Sequence, residues 1–251
     1  MLAETRRIYR ESLKPADSLF NLYIARPPAA LFVQLLSRTR VTPNQVSFFS
    51  LFLFILAMTG LIALPGIPGL LAGIGGVELS YVFDCVDGQL ARITRRSSPV
   101  GALLDFLMDE LKAYLLVAGV ATRWYLHDAG GVQSLLFGLG TLVIIGSALS
   151  LTKFIRTAEY AHATGTQALK HGEAAGAASQ RKGLLWPVQA LARLVSQYPT
   201  TLPLFAIVNR LDIFLYAYAA VHVLYIAQTA LVVLLRLGRF APRLAPPETP
   251  K

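Results

Sequence analysis

The sequence predicts an all-α, polytopic membrane protein: six transmembrane helices with an N-terminal interfacial amphipathic arm. Three observations predict it. Of 251 residues, 55% are hydrophobic and only 15% charged, and mean hydropathy is +0.54, against about 25% charge in ordinary soluble domains. Six apolar stretches can be drawn near the ~20 residues that a helix needs to cross ~30 Å of hydrocarbon. The net charge of +9 falls between those stretches and forms no continuous basic domain, which argues against nucleic acid as a partner.

Residues 1–40 read as a cytoplasmic, interfacial arm. Leu19, Phe20, Tyr23 and Ile24 precede Arg26-Pro27-Pro28, and Leu31, Phe32, Leu35 and Leu36 follow at helical spacing. An amphipathic helix with basic flanks lies at the headgroup boundary. Arg6, Arg7, Arg10, Glu11, Lys14 and Asp17 precede any apolar run, so no targeting peptide is expected. Residues 41–237 form the transmembrane domain, with spans at about 46–64, 69–91, 101–126, 133–152, 189–208 and 212–237. The fifth is the weakest, because Pro199 and Pro203 interrupt it and Arg193 stands near its start. Asn209-Arg210 supplies a turn into the sixth. Residues 157–182, rich in Ala, Gly, Thr and Gln, read as a cytoplasmic linker. The Pro-rich tail, 238–251, reads as disordered. Cys85 is the only cysteine, so an intramolecular disulfide is excluded.

Orientation follows from Lys and Arg. With six spans, the arm, the loop holding Arg92, Arg95 and Arg96, the Lys153–Arg193 region and the tail share one side. Together they hold twenty of the 23 basic residues. The other side keeps Arg123 and Arg210, and Lys112 lies within a helix. The protein is therefore expected in the cell inner (cytoplasmic) membrane, with both termini on the cytoplasmic side.

Eight residues carry the chemistry: Asp84, Asp87, Gly88, Ala91 and Arg92, then Gly101, Asp105 and Asp109. Asp84, Asp87, Gly88 and Ala91 share one face of the second span, and Asp105 and Asp109 one face of the third. Asp84 stands roughly 22 Å along its helix at 1.5 Å per residue, near the end where the third span begins. A short connection, 93–100, makes the two helices expected neighbours. The four acids can thus converge at one cytoplasm-facing depth. Carboxylates inside apolar sequence are expensive and mark function, and adjacent like charges would hold protons. A divalent cation removes that problem, and oxygen-only ligands favour Mg²⁺ or Mn²⁺ over Ca²⁺. Gly88 and Gly101 remove side chains where a ligand must come close, whereas Gly69 and Gly73 fit helix packing equally well.

At all eight positions the chain resembles the CDP-alcohol phosphotransferase (CDP-alcohol phosphatidyltransferase) family of integral membrane enzymes. Thr42-Pro43-Asn44 before the first span and the six spans extend the likeness over about residues 20–237. The resemblance implies that Asp84, Asp87 and Asp105 ligate two Mg²⁺ or Mn²⁺ ions. Asp109 would help hold metal and serve as catalytic base. Asn44, Gly88, Ala91, Arg92 and Gly101 would bind the nucleotide. The implied reaction is attack by an acceptor hydroxyl on the β-phosphorus of a CDP-alcohol, with release of CMP, in phospholipid biosynthesis. Such enzymes are often homodimers, which sets that expectation here. Phosphoryl transfer of this kind is mostly positioning and charge neutralisation, and two ions ~3.5–4 Å apart can clamp the attacking and leaving oxygens.

The acceptor is less well marked. Glu110 follows the fourth aspartate directly, where a basic residue would suit a phosphate-bearing acceptor. Lys112, Lys153 and Arg156 are candidate acceptor-binding residues. For Lys153 and Arg156, positive-inside anchoring is the simpler account. CDP-diacylglycerol is the favoured donor. The alternative is a CDP-linked polar alcohol transferred to a lipid such as diacylglycerol. From another class, an ion-coupled transporter could use the same carboxylates, but such sites tend to lie at the midplane within inverted repeats. Glu78 is expected to make an interhelical hydrogen bond, and Tyr81, Cys85 and His222 to pack.

Overall fold

The computed structural model describes residues 2–13, 17–164, 195 and 197–237, and every described element is helical. α1 (Leu2–Glu11), a π-helical turn (Asn21–Ala25) and α2 (Arg26–Leu36) form the N-terminal segment. α3 (Pro43–Ala63), α4 (Gly66–Ile93), α5 (Pro99–His127) and α6 (Gly131–Ile155) follow, then α7 (Ala158–Thr164), α8 (Tyr198–Ile207) and α9 (Leu211–Leu237). Four helical stretches are long and apolar enough to cross a membrane: Pro43–Ala63, Gly66–Ile93, Gly131–Ile155 and Leu211–Leu235. α5 has the length, 29 residues, but Asp105, Asp109, Glu110, Lys112 and Arg123 deny it the uniform apolarity. Of the expected fifth span, 189–194 and 196 lie outside the described residues, and the described part is built on the ten-residue α8 with Pro203 inside it. The described start of the expected 157–182 linker is helical, as α7. The tail from 238 onward is outside the described residues.

Local chemistry explains the helix starts. Thr42 caps α3 by a reciprocal box with Gln45, each side chain satisfying a backbone N–H of the other, and Pro43 follows at the first turn, where its missing N–H costs nothing. Ser98 caps α5 by accepting from the Gly101 N–H at 3.0 Å, again with proline next. Asn209, between α8 and α9, takes a left-handed φ of 52°, a conformation that Asn tolerates.

α3 packs along α4 so closely that a Cβ on Gly73 would stand 2.6 Å from Leu61 Cβ, and one on Gly76 2.6 Å from Ala57 Cβ. A Cβ on Gly69 would stand 1.9 Å from the Leu64 carbonyl oxygen. Those glycines are packing glycines, with small side chains letting backbones approach. α3 also packs on α5, and α5 on α6, while α4 and α5 scarcely touch each other. The expected neighbours are therefore separated by a gap, bridged by side chains. One apolar core joins Phe54 and Leu61 of α3 to Leu116 and Val120 of α5, Ile145 of α6 and Phe214 of α9. A second joins Ile8 of α1 and Ala29 and Val33 of α2 to Val86 and Leu90 of α4. Leu19, Tyr23, Ile24, Leu31 and Leu35 remain exposed on the N-terminal segment.

At the far end from the acids, the buried Arg123 guanidinium donates to the carbonyls of Leu61, Leu64 and Gly66 at 3.0, 3.3 and 3.1 Å. His127 Nε2 meets the Ile62 carbonyl at 2.8 Å. The C-terminal end of α5 is thus tied to the α3–α4 turn.

Candidate active site

The gap between α4 and α5 opens into a cavity of about 410 Å³. α4 contributes Tyr81, Asp84, Cys85, Asp87, Gly88 and Arg92, and α5 contributes Asp105, Phe106, Asp109, Glu110 and Ala113. Asn21 and Arg26 close one side from the N-terminal segment. Ile145, Leu149, Gln197, Tyr198, Pro199, Tyr218 and His222 complete it from α6, α8, the residue before α8, and α9. All four acids therefore share one chamber, as the helical spacing predicts.

Oxygens of Asp84, Asp87 and Asp105 lie within 4.8 Å of one another. Three carboxylate oxygens gathered this closely could close onto a common ion at the ~2.1 Å of a Mg–O bond, and the all-oxygen donor set suits Mg²⁺ or Mn²⁺. The residues present thus fit a divalent metal. Asp109 lines the same chamber but stands outside that group of three.

The acids have protein partners. The Ser47 hydroxyl on α3 donates to Asp87 Oδ2 at 2.5 Å, and Asp87 is buried. Lys112, wholly buried, donates from Nζ to Asp84 Oδ1 at 2.5 Å and to Ser50 Oγ at 2.8 Å. Ser50 in turn donates to the Ser80 carbonyl at 2.8 Å. A buried ammonium needs such company, since an unpaired charge there costs several kcal/mol.

Lys112 accordingly does not line the cavity as an acceptor-binding residue. Its position three past Asp109 turns it inward, onto Asp84. Lys153 Nζ is paired with Glu110 Oε2 at 2.7 Å. Lys153 and Arg156 both lie over the Phe106 ring, at 5.9 and 5.5 Å. Neither lines the chamber, although Glu110 and Phe106 do.

Of the expected nucleotide residues, Gly88 and Arg92 line the cavity, and Asn44, Ala91 and Gly101 do not. Asn44 and Gly101 are neighbours: a Cβ on Gly101 would stand 3.5 Å from Asn44 Oδ1. A Cβ on Gly88 would touch only the Arg92 guanidinium, at 3.5 Å and beyond, so no other helix fills that space. Among the described residues, Glu78 Oε1 is buried without a hydrogen-bond partner, so it makes none of the expected interhelical kind there.

Several lining residues were expected only to pack. Tyr81 donates to Asn21 Oδ1 at 2.6 Å, and its ring meets Tyr198 edge-on at 6.3 Å. His222, whose Nδ1 lies 2.7 Å from the Tyr218 carbonyl oxygen, also lines the chamber. His222 stands two-fifths of the way along an apolar helix, and nothing in its neighbours marks a site. Asn21 and Arg26 belong to the arm in sequence, and sequence distance hides where that segment folds back.

A sequence model of the CDP-alcohol phosphatidyltransferase family matches residues 40–236. Two curated relatives are each named bifunctional IPC transferase and DIPP synthase. The one from Thermococcus kodakarensis is 34% identical over 106 residues, 41% of this chain and 23% of its own length. The one from Rubrobacter xylanophilus is 38% identical over 89 residues, 33% of this chain and 18% of its own length. The match therefore spans about a quarter or less of those relatives. Among solved structures, a Mycobacterium tuberculosis phosphatidylinositol phosphate synthase with CDP-DAG bound aligns over 87% of this chain and 98% of its own. Its TM-score is 0.48 and its sequence identity 19%.

Proposed function

The chain belongs to the CDP-alcohol phosphatidyltransferase family, and from that premise we propose that it transfers a phosphatidyl or phospho-alcohol group from a CDP-alcohol to an acceptor hydroxyl in phospholipid biosynthesis. The observation that carries this reading is one chamber holding Asp84, Asp87, Asp105, Asp109, Gly88 and Arg92. The setting is a bundle with several membrane-length apolar helices. We read it as a six-span bundle with both termini and the chamber on the cytoplasmic side, and the N-terminal segment at the interface. The exposed Leu19, Tyr23, Ile24, Leu31 and Leu35 support that interfacial placement.

Asp84, Asp87 and Asp105 would hold the divalent ions, with Ser47 orienting Asp87 and Lys112 orienting Asp84. When bound, Mg²⁺ or Mn²⁺ would neutralise charge on the diphosphate and on the departing phosphate. Arg92 binds the nucleotide's phosphates. Asp109, one turn past Asp105, takes the acceptor's proton as its oxygen bonds to the β-phosphorus. The bond from that phosphorus to the bridging oxygen breaks, and CMP departs with the electron pair.

The favoured donor is CDP-diacylglycerol. Ala113, one turn deeper than Asp109, together with Ile145, Leu149 and the Tyr198 and Tyr218 rings, gives the chamber an apolar depth beyond the acids, which suits a lipid-linked group. A second reading keeps the same chamber for a CDP-linked polar alcohol, with a lipid such as diacylglycerol as acceptor. One experiment tests both. Purified protein with Mn²⁺ is given CDP-diacylglycerol or CDP-choline and a panel of glycerol phosphate, inositol, inositol phosphate, serine and diacylglycerol. CMP release with at least one pair is expected and identifies it. Silence from every pair overturns the assignment.

A further inference from the structure

The N-terminal segment reaches the chamber through a charged knot. Arg26, at the start of α2, is 3% exposed and forms an ion pair with Asp17, itself buried. Asp17 Oδ1 also accepts from Asn21 Nδ2 at 2.7 Å, and Asn21 receives the Tyr81 hydroxyl. Arg26 donates to the Ser12 carbonyl oxygen at 3.1 Å. Arg92, from α4, donates to that same oxygen at 2.9 Å. Two guanidinium groups are thus drawn to one carbonyl, and both line the chamber.

Like charges brought together in a partly buried site repel; Asp17 is ion-paired with Arg26, and Asp87 stands five residues before Arg92 on α4. With the chamber's acids committed to divalent ions, a further anion would complete the guanidinium pair. Asp84 and Asp87 of α4, with Asp105 and Asp109 of α5, would gather divalent ions, so the chamber has a cation-collecting part beside an anion-collecting one. A diphosphate, anionic along its length, would meet metal on one and guanidinium on the other. Planar guanidinium forks suit phosphate oxygens.

We propose that Arg26 is a second anion-binding residue of the chamber, which holds with Arg92 the diphosphate of the CDP-alcohol, and that Asp17 is the residue that positions it. This rests on the transferase reading. The N-terminal segment is then part of the donor site as well as a membrane contact.

The test uses the full chain, purified in detergent with Mg²⁺, and measures CDP affinity by calorimetry and thermal stability by unfolding. Arg26→Gln is expected to weaken CDP binding about 10-fold or more, as loss of a charge-assisted hydrogen bond does. Arg26→Lys, which keeps charge and loses the fork, should fall between. Because Arg26→Gln strands a buried carboxylate, the double variant Asp17→Asn, Arg26→Gln removes both charges. It should keep the wild-type unfolding midpoint and still bind CDP weakly. Cytidine, which lacks phosphates, should inhibit CMP release equally in wild type and double variant. Wild-type CDP affinity in the double variant overturns the proposal, as does an equal loss for CDP and cytidine. If the wild type neither binds CDP nor releases CMP, the transferase reading itself fails.

Discussion

Single side chains set the chemistry, and their partners set its strength. Asp109 stands apart from the three gathered oxygens, which supports the separate task proposed for it. Asp109→Asn should lower kcat by about 100-fold or more while CDP binding partly survives. Equal loss of both would make Asp109 chiefly a ligand. Ser47 touches Asp87 without facing the chamber. Ser47→Ala should therefore raise the Mn²⁺ needed for half-maximal CMP release about 10- to 100-fold, the usual cost of losing a ligand's orienting partner. An unchanged Mn²⁺ requirement would refute that role. The acids were legible in the sequence because helical spacing alone puts Asp84 with Asp87 and Asp105 with Asp109. Ser47, Lys112 and Arg26 were not legible as partners, because each reaches its acid from another element and no local pattern records which helix faces which.

At the scale of helices, apolar length was readable and neighbour relations were not. Hydropathy locates α3, α4, α6 and α9, since about 20 apolar residues leave little alternative. It cannot say that α4 and α5, joined by a short loop, both pack on α3 and scarcely touch each other. The acids explain it: charged groups and a ligand need volume that close backbone packing would deny. Where α3 and α4 do meet, the fit is tight enough to test. Gly76→Ala puts a methyl 2.6 Å from Ala57 Cβ and 3.1 Å from its Cα. Neither can swing aside, so the unfolding midpoint should fall by the equivalent of about 1–3 kcal/mol. Gly75→Ala, with nothing within 4 Å, should leave the midpoint unchanged or raise it through helix propensity. Equal effects of the two would refute the α3–α4 interface.

For the molecule as a whole, charge sets the expected sidedness. Cysteines placed at Arg96 and Arg210 of a Cys85→Ser background should label from opposite faces of sealed vesicles, with Arg96 on the cytoplasmic face. Labelling from one face would refute the six-span reading. Metal removal by EDTA should abolish CMP release, and Mn²⁺ should restore it. The positive-inside count makes orientation readable as an expectation, whereas the docking of Ser12, Asn21 and Arg26 against α4 depends on long-range contacts, such as Arg92 to the Ser12 carbonyl oxygen, that no hydropathy profile contains. The Arg123 clasp across the α3–α4 turn has a mechanical consequence. With three carbonyls pinned at that end, the bundle behaves like tongs riveted at the tip away from the carboxylates. Any parting of α4 from α5 is therefore left to the opposite ends, the ones that carry the carboxylates.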